Sequence, residues 1–543
     1  MLLAAACGDD GGGGSESTTT KAGGSTASTT TLAPQKGGIA TIGQFSAAPG
    51  LDPAKLAGGG TVGGMEHMAI YDVLMRYNNV TGKYEPRTAA SLTPNADNSV
   101  WTLKLKPNVK FTDGTPYDAA AVKFVHDREV KEGNSSPRSQ FSGAVKSVDV
   151  IDALTVQYTL TQAWAGFPYI LSGVNGIIYS PTAFAKAGAN FNTAPGDAGA
   201  GPFKLKSYKP GESIELERNP TFYGGDVYLD GLKFVFVGGF AQTYEAVKAG
   251  TITAAFVRDN ATVAKAKAEG FGAVDMPAVA GNILNMNSGV VVTCNNGAPA
   301  PLCTGKANGE KVKTTSPTSD RTVRLAVAHA VDPKVISDRV YDGKAQPNSA
   351  PFANFPWDPK VEGPKFDLNL AKQEVTTAKA AGWNGKIRVL SANTPEGIAW
   401  GQAVSAMLTA AGMEVALDTT KDTQQVVNQV LVLNDYDVVT WAYGLLDESD
   451  ANYLQLKGTF NSAAPRYGYG NAEMDAAIDL LRVADTDAKR VAAYKAISEI
   501  WVRDVPAHVT TAIAQDLIHS PKLHDPQRTA ASTILFDKAW LEK

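Results

Sequence analysis

Short runs of alternating apolar and polar residues mark the first half of the chain, and this alternation is typical of half-buried β-strands. In residues 101–106, Trp101, Leu103 and Leu105 fall on one face and polar residues fall on the other. Residues 116–130 instead carry apolar side chains at helical spacing, which predicts a helix. The same patterns predict further strands at 38–45, 154–160, 213–217 and 232–237 and helices at 241–249 and 321–330. This half is therefore predicted to be mixed α/β, with several antiparallel strands.

From residue 386 onward, strand patterns and helix patterns take turns. We predict strands at 386–390, 414–418 and 436–443, separated by helices at 395–411 and 423–431. This βαβαβ order implies parallel strands joined by right-handed crossovers. Gly412 follows the first of these helices, at the position where a left-handed residue commonly ends a helix. Two long amphipathic helices are predicted at 472–482 and 486–503, and the sequence has no internal repeat.

Aromatic residues stand where two of the predicted strands end. In open α/β sheets, ligands bind beyond the carboxyl ends of the strands. Phe45 ends the first strand, while Trp441 and Tyr443 end the last strand and are followed by Gly444. Because Trp441 and Tyr443 alternate onto one face, we predict that these aromatic side chains form walls of a ligand pocket. Packing in the core or at its rim is the alternative for each of them.

Length and composition indicate a globular protein with more than one core. The chain has 543 residues, and single cores stop growing near about 250–300 residues. Hydrophobic residues make up 44% of the chain and charged residues 19%, and no apolar run approaches the roughly 20 residues of a membrane span. The formal net charge is −4 and there is no long basic run, which argues against binding to nucleic acid.

Cys7 lies between a short apolar run and a polar segment of Gly, Ser and Thr. This arrangement is typical of a bacterial lipoprotein, in which the chain is cleaved before the cysteine and the thiol is acylated. We predict that residues 1–6 are the remnant of a signal peptide that continues upstream, because a full signal needs a basic region and about 7–15 apolar residues. Residues 7–36 are then the lipidated cysteine and a flexible tether, which anchors a soluble body to the outer face of the cell membrane. An unmodified N-terminal cysteine is the alternative.

The other two cysteines, Cys294 and Cys303, lie in a segment rich in Gly, Pro and Asn, which predicts a loop. In an exported protein, such a pair is expected to form a disulfide that closes the loop. A zinc site, the alternative, needs two further ligands, and no histidine lies nearby in the sequence.

The chain carries none of the common catalytic or cofactor motifs. It has no Gly-x-Ser-x-Gly, no His-Glu-x-x-His and no Gly-x-x-x-x-Gly-Lys-Ser/Thr sequence. Gly199-Ala200-Gly201-Pro202 is rich in glycine, but its proline prevents the helix-opening turn of a dinucleotide site. The six histidines are scattered. We therefore predict that the protein is not an enzyme and holds no cofactor and no metal, although carboxylates that meet only in the folded chain stay open as a hydrolytic pair.

Several stretches form an ordered set of motifs from about Gly38 to the C-terminus. The longest, residues 101–116, reads Trp-Thr-Leu-Lys-Leu-Lys-Pro-Asn-Val-Lys-Phe-Thr-Asp-Gly-Thr-Pro and is followed by the predicted helix. The shorter ones are Leu51-Asp52-Pro53, Gly201-Pro202-Phe203-Lys204-Leu205, Glu217-Arg218-Asn219-Pro220, Asn285-Met286-Asn287 and Arg321-Thr322-Val323-Arg324-Leu325-Ala326. Together they resemble the family 5 extracellular solute-binding proteins of ABC importers, the group that binds oligopeptides, dipeptides and nickel.

The resemblance implies an α/β fold of two lobes joined by a hinge, similar to type II periplasmic binding proteins. Lobe one is expected to comprise 37–281 and 516–543, with an extra subdomain at about 70–200, and lobe two 282–515. A solute bound in the cleft shifts the lobes from open to closed. The closed form then docks on the transmembrane subunits of an ABC permease, and the receptor itself is expected to be a monomer.

At one position this chain departs from the peptide-binding members of the family. They carry an aspartate three residues after the tryptophan that corresponds to Trp441, and this aspartate pairs with the amino group of the peptide. Here that position is Gly444. An ammonium group needs such a partner, since unpaired burial costs several kcal/mol. A peptide therefore requires another carboxylate, for which Asp447, Glu448 and Asp450 are candidates; an uncharged or anionic organic solute is the alternative.

The residues predicted to bind the ligand are Phe45, Glu66, Ala200, Gly201, Asn287, Trp441, Tyr443, Gly444 and Asp447. The histidine pattern gives no support to uptake of nickel or haem. Two other functions stay open beside the solute receptor. One is a sensor or adhesion protein with the same fold, which binds a protein partner, and the other is a secreted hydrolase.

Overall fold

In the computed structural model of the protein, the described residues are 32–44, 48, 50–56, 63–132, 136–237, 239–276 and 278–543. The predicted lipidation site Cys7 and the predicted pocket residue Phe45 lie outside them. The chain divides into residues 1–34, of which only 32–34 are described, and residues 35–543, which form one compact unit.

The first half of this unit mixes strands and helices, as its sequence pattern predicts. Its strands are β1 (Ile39–Gln44), β2 (Met75–Asn78), β3 (Lys83–Pro86), β4 (Ala89–Pro94), β5 (Val100–Leu105), β6 (Val145–Asp152), β7 (Thr155–Leu160), β8 (Phe203–Lys209), β9 (Ser213–Arg218), β10 (Gly231–Phe236), β11 (Ala254–Val257) and β12 (Gly272–Asp275). Its helices are α1 (Met65–Tyr71), α2 (Ala119–Glu132), α3 (Ser136–Ala144), α4 (Pro168–Ser172), α5 (Pro181–Ala187), α6 (Phe240–Lys248) and α7 (Asn260–Ala268).

The second half is richer in helix, and a tail of short strands follows it. Its strands are β13 (Ala278–Met286), β14 (Val291–Thr293), β15 (Lys311–Lys313), β16 (Lys386–Leu390), β17 (Glu414–Asp418), β18 (Val438–Ala442) and β19 (Ala507–Ile513). Its helices are α8 (Arg321–Ala330), α9 (Pro333–Val340), α10 (Leu368–Ala380), α11 (Pro395–Ala410), α12 (Thr423–Asn428), α13 (Ser449–Phe460), α14 (Ala472–Arg482) and α15 (Asp487–Asp504). The tail holds β20 (Asp516–His519), β21 (Leu523–His524), β22 (Gln527–Thr529), β23 (Thr533–Leu535) and β24 (Trp540–Leu541).

Three sheets organise these strands. The first sheet has seven strands in the order β12-β20-β11-β1-β10-β9-β8, the second has five in the order β17-β16-β18-β13-β19, and the small sheet has four in the order β4-β5-β7-β6. In the first sheet, β1 is parallel to both of its neighbours, β10 and β11, and all other neighbouring strands of this sheet are antiparallel. The small sheet is antiparallel throughout.

The predicted βαβαβ unit is confirmed, because β16 pairs in parallel with both β17 and β18. Its helices begin where the sequence offers caps. Thr394 accepts a hydrogen bond from the backbone of Gly397 at the start of α11, and Asp422 and Gln425 form a capping box at the start of α12. Gly412 has a φ of +94°, which is the left-handed conformation predicted after α11. The predicted helix 423–431 ends instead as a π-helical turn, Gln429–Leu433.

The chain crosses between the first and second sheets at two places. One crossing links β12 to β13, and the other links β19 to β20. The two lie side by side, because the backbone N–H of Met276 donates to the carbonyl of Gln515 at 2.9 Å. Asn260 braces the second crossing: its side-chain amide donates to the carbonyl of Ala512 at 3.1 Å, and its amide oxygen accepts from the N–H of Ala514.

The two cysteines of the Gly-, Pro- and Asn-rich segment are joined. Cys294 and Cys303 form a disulfide with their Cα atoms 5.4 Å apart. The bridge lies between β14 and β15, which pair as a two-stranded antiparallel ribbon. Both cysteines are buried.

Candidate functional site

A cavity of about 410 Å³ lies where several strands of both sheets end. Arg258 and Asp259 line it directly after β11, and Thr394 and Glu396 line it after β16. The last three residues of β18, which include Trp441, form another part of its wall. This is the position at which open α/β sheets bind ligands, and its volume is within the range of about 300–1,000 Å³ that is usual for ligand pockets.

Two tryptophans form part of the apolar wall. Trp441 is half-buried on β18, where it pairs across the ladder with Ile283 of β13. Trp400 is buried on α11, and its indole Nε1 has no hydrogen-bond acceptor among the described residues. Together they offer flat apolar surface to a bound molecule.

A chain of hydrogen bonds crosses one side of the cavity. The side-chain amide of Asn282 donates to the hydroxyl oxygen of Tyr341 at 2.7 Å, and this hydroxyl donates to Glu396 Oε1, also at 2.7 Å. A second bond from the Asn282 amide, to the hydroxyl of Thr511, holds the start of the chain in place at 2.9 Å. Burial raises the pKa of Glu396, and the negative charge of Asp259 raises it further, whereas the bond from Tyr341 and the charge of Arg258 lower it. The carboxyl group is thus positioned within the wall by residues from β13 and the end of α9.

Arg258 is the basic residue of the cavity wall, and nothing in the described part of the chain pairs with it. It makes no hydrogen bond to a described residue, and no carboxylate oxygen of those residues lies within 4.0 Å of its nitrogens. Burial lowers its pKa, although the negative charge of Glu396 opposes the effect. A guanidinium keeps its proton even so. An unpaired cation of this kind is suited to a planar oxyanion, which it can bind with two parallel hydrogen bonds.

The three carboxylates proposed as substitutes at Gly444 are bound elsewhere by the chain itself. Asp447 forms an ion pair with the buried Arg528 of β22, and Glu448 lies 3.7 Å from the same guanidinium. Glu448 also accepts from the backbone N–H of Ala531 at 3.0 Å. Asp450 accepts from the hydroxyl of Tyr84 at 3.0 Å. None of the three lines the cavity.

Burial raises the pKa of Glu448 to about 7, even though Arg528 opposes the shift, and it also raises the pKa of Asp450. Asp447 and Glu448 therefore connect the segment after β18 to the tail of the chain.

Of the remaining predicted residues, Tyr443 and Gly444 lie just beyond β18. Tyr443 is buried, with its ring centroid 6.0 Å from that of Trp501, so the structure does not place it beside Trp441 in the cavity wall. Because β18 ends at Ala442, the strand alternation that predicted a shared face stops before Tyr443. Gly444 is exposed, and a Cβ built on it meets no atom within 4 Å.

Ala200, Gly201 and Asn287 form hydrogen bonds that connect separate segments of the chain. The N–H groups of Ala200 and Gly201 donate to the carbonyls of Tyr71 and Ile70 at the end of α1, at 3.4 and 2.9 Å. A Cβ at Gly201 would lie 2.4 Å from the carbonyl oxygen of Ala69, so this close approach requires glycine. Asn287 uses its whole side-chain amide within the chain. It donates to two carbonyls and accepts from the N–H groups of Gly289 and Val290 and the hydroxyl of Thr314.

Glu66 is buried in the first half of the chain, apart from the cavity described above. Its Oε2 has no hydrogen-bond partner among the described residues, and burial raises its pKa to about 7. With Gln44 at the end of β1, it lines a cavity of only about 20 Å³. Its predicted role in ligand binding stays a prediction.

Sequence reasoning missed Arg258, Tyr341, Glu396 and Trp400. A signal for Arg258 was present. Residues 254–257, Ala-Ala-Phe-Val, are a short continuous apolar run, which is consistent with a fully buried strand. The polar residues Arg258, Asp259 and Asn260 follow at once, and Asp259 caps α7 by accepting from the N–H of Thr262. Within the ranges that the structure describes, no helix has the length and hydropathy of a membrane span, and no group of three metal-ligating side chains is arranged around a common point.

The chain was compared with protein families and with known proteins. The family model described as bacterial extracellular solute-binding proteins, family 5 Middle, matches residues 83–463. A probable D,D-dipeptide-binding periplasmic protein, DdpA of Escherichia coli K12, is 37% identical over 139 residues, which are 25% of this chain and 27% of that protein. The glutathione-binding protein GsiB of Shigella flexneri is 32% identical over 130 residues, 24% of this chain and 25% of that protein. The chain thus matches about a quarter of the length of these relatives.

The fold itself is matched over nearly the whole chain. The periplasmic binding protein DppA of Helicobacter pylori, solved in complex with the peptide STSA, superposes with a TM-score of 0.73. The superposition covers 94% of this chain and 99% of that one, at 20% sequence identity. The mixed α/β, two-lobed fold of periplasmic binding proteins, predicted from the resemblance, is confirmed.

Proposed function

The chain belongs to the bacterial extracellular solute-binding proteins of family 5, and on this basis we propose that it is the receptor of an ABC importer. It captures a small organic solute in the cavity between β11 and the ends of β16 and β18, and it delivers the solute to a membrane permease. Members of this family are solute-binding proteins and not enzymes. The observation that supports the proposal is the cavity itself, in which Arg258 has no partner of its own.

The charges of the cavity favour a zwitterionic solute such as a short peptide. Arg258 can take the carboxylate of the ligand through paired hydrogen bonds. Glu396 can take its ammonium group, because only the hydroxyl of Tyr341 is bonded to this carboxylate within the described residues. In this arrangement Glu396 replaces the aspartate that is absent at Gly444. The guanidinium of Arg258 and the carboxylate of Glu396 then each gain an oppositely charged partner when the ligand binds.

The named relatives support a peptide ligand. DdpA is described as binding D,D-dipeptides and GsiB as binding glutathione, and both molecules carry carboxylate and ammonium groups. The H. pylori protein of the same fold holds the peptide STSA. Trp441 and Trp400 supply apolar surface for the rest of such a ligand.

A thermal-shift series tests this proposal. We expect D-alanyl-D-alanine, glutathione or short L-peptides to raise the melting temperature of the protein, because a ligand at 100 times its Kd adds about 2.7 kcal/mol of stability. N-acetylation of the responding peptide should remove most of the shift, since it deletes the positive charge that Glu396 binds. Glu396→Gln should weaken binding of the free peptide much more than binding of its acetylated form.

The matched control for this series is Glu374→Gln. Glu374 pairs with His329 at 2.9 Å, does not line the cavity and should leave both affinities unchanged. Shifts with sugars or aromatic acids but with none of the peptides would contradict the zwitterionic ligand. A peptide whose affinity does not depend on acetylation would contradict the role of Glu396.

We also propose that the receptor is a monomer held at the outer face of the cell membrane by a lipid on Cys7. The support is the sequence around this cysteine and the long Gly-, Ser- and Thr-rich segment after it. With its complete signal in place, Cys7→Ser should release the protein from membranes into the medium. Retention of the variant on membranes would contradict the anchor.

We also propose, from the membership of this family, that the protein closes by a hinged motion of two lobes. Lobe one comprises 37–281 and 516–543, with an extra subdomain at about 70–200, and lobe two comprises 282–515. The separate sheets and the paired crossings between them support this division. Small-angle scattering should show a smaller radius of gyration when the peptide is added. An unchanged radius would contradict closure.

A further inference from the structure

A second cavity, of about 650 Å³, lies between the small-sheet region, which is the four-stranded sheet with α3 and the segment after β7, and the helices α13 and α14. One wall consists of Ser139, Gln140, Gly143 and Ala144 of α3 and of Thr161, Gln162 and Trp164 after β7. The other consists of residues from α13, from the segment after it and from the end of α14. It shares no lining residue with the first cavity.

The charged residues that line this second cavity are all cations. They are Lys457, Arg466 and Arg482, and no Asp or Glu is among the lining residues. One carboxylate lies behind them: Asp479 is 3.5 Å from Lys457 Nζ and 3.5 Å from Arg482 Nε. Arg466 forms no ion pair with any described residue. Lys457 and Arg482 therefore share a single carboxylate, and Arg466 has none among the described residues.

Aromatic side chains lie beside these cations. Trp164 and Tyr453 are buried, and their ring centroids are 5.4 Å apart. The indole Nε1 of Trp164 is buried without a hydrogen-bond acceptor among the described residues. The rings of Trp164 and Tyr453 therefore give this wall apolar surface for a bound molecule.

We propose that the second cavity binds a small organic anion, whose carboxylate or phosphate oxygens pair with Lys457 and Arg466 and whose apolar part packs on Trp164 and Tyr453. The arrangement is independent of what the first cavity binds. Arg482 already joins the two walls, because it donates to the carbonyl of Ala163. An anion between them strengthens this connection and thereby holds the small-sheet region against α13 and α14.

Isothermal titration of the full-length protein with phenyl phosphate, benzoate and inorganic phosphate tests the proposal. We expect phenyl phosphate or benzoate to bind more tightly than inorganic phosphate, and the affinity to fall as salt is raised. The two organic probes distinguish a phosphate site from a carboxylate site. Arg466→Gln and Lys457→Gln should each weaken binding by about tenfold, since each removes one charge-assisted hydrogen bond.

Lys495→Gln is the matched control, because Lys495 is an exposed lysine of α15 that does not line the cavity. It should leave the affinity unchanged, as should Trp441→Ala in the first cavity. The proposal is overturned if none of the three anions binds to the native protein, or if Arg466→Gln and Lys457→Gln both bind as tightly as it does. Loss of anion binding in Trp441→Ala would also overturn it, because it would place the anion in the first cavity. That result would not decide whether the first cavity binds a peptide, which the acetylation experiment tests separately.

Discussion

Carboxylates follow two neighbouring strands of the second sheet, and only those after one strand are paired with a cation of the chain. After β18, Asp447 and Glu448 meet the buried guanidinium of Arg528. After β16, Glu396 receives a hydrogen bond from Tyr341, while the closest basic residue of its wall, Arg258, stays more than 4.0 Å from any described carboxylate. Charges that the chain satisfies internally hold its parts together. Charges that it leaves unpaired in a cavity are available to a ligand.

The largest effect is expected from Arg528→Met. Removing this guanidinium leaves Asp447 and Glu448 without their cation, and breaking a buried pair costs about 3–5 kcal/mol. We expect the free energy of unfolding, measured by chemical denaturation, to fall by this amount. The control is Arg339→Met on the exposed side of α9, which should change it by less than about 0.5 kcal/mol. Equal effects of Arg528→Met and Arg339→Met on the free energy of unfolding would contradict the stabilising role of the ion pairs of Arg528.

Glu448→Gln should show a dependence on pH. The pKa of Glu448 is raised from an ordinary value of 4.5 to about 7, so between these values the native state binds more protons than the unfolded state. Its contribution to stability is therefore fully present below about pH 4.5 and is lost as the pH rises to about 7. Glutamine avoids this loss, so the variant should gain about 1–3 kcal/mol over the native protein at pH 8 but not at pH 4.5. A gain that is the same at both pH values would contradict the shift.

Arg258→Met should separate binding from stability. We expect the affinity for the responding peptide to fall at least tenfold, a loss of about 1.4 kcal/mol or more, because a charge-assisted pair is removed. The ligand-free protein should be as stable as before or more stable, since the substitution deletes an unpaired, largely buried charge. Titration calorimetry and denaturation of the ligand-free protein measure the two quantities. A large loss of stability would show that Arg258 is a structural residue, like Arg528.

The smallest effect is expected from Gly444→Asp. A side chain at this exposed position meets no atom, so the free energy of unfolding should change by less than about 0.5 kcal/mol. Because Gly444 does not line the cavity, the peptide affinity should change by less than about twofold. A strong gain in affinity would instead show that the ammonium group lies near residue 444, and it would contradict the role of Glu396.

Much of the fold could be predicted from the chain because its patterns are local. The strands at 386–390 and 414–418 agree with β16 and β17 in both bounds, and the helix at 472–482 agrees with α14. The prediction was less accurate where local pattern and packing diverge. The predicted strand 436–443 is β18 at 438–442, so the buried Tyr436 and Tyr443 lie outside the strand.

The candidate site was harder to predict, because its residues come from distant segments. Trp441 was found from its place at the end of a predicted strand. Arg258, Tyr341 and Glu396 are separated by more than fifty residues each, and they meet only where the folded chain encloses the cavity. β11, which positions Arg258, has four residues that are all buried, so it shows no alternation by which a strand is recognised. The pairing of Asp447 with Arg528 likewise depends on a contact across 81 positions.

The two crossings between the sheets have a consequence for the hinged motion that we propose. They run next to each other and are bonded through Met276 and Gln515. In the hinged motion proposed above, two lobes joined by a pair of adjacent segments turn about the line through these segments, because sliding or twisting would stretch one segment against the other. The proposed opening and closing then has a single degree of freedom. The width of the entrance to the cavity, which Asn282 and Ile513 line, should then depend on one angle between the lobes.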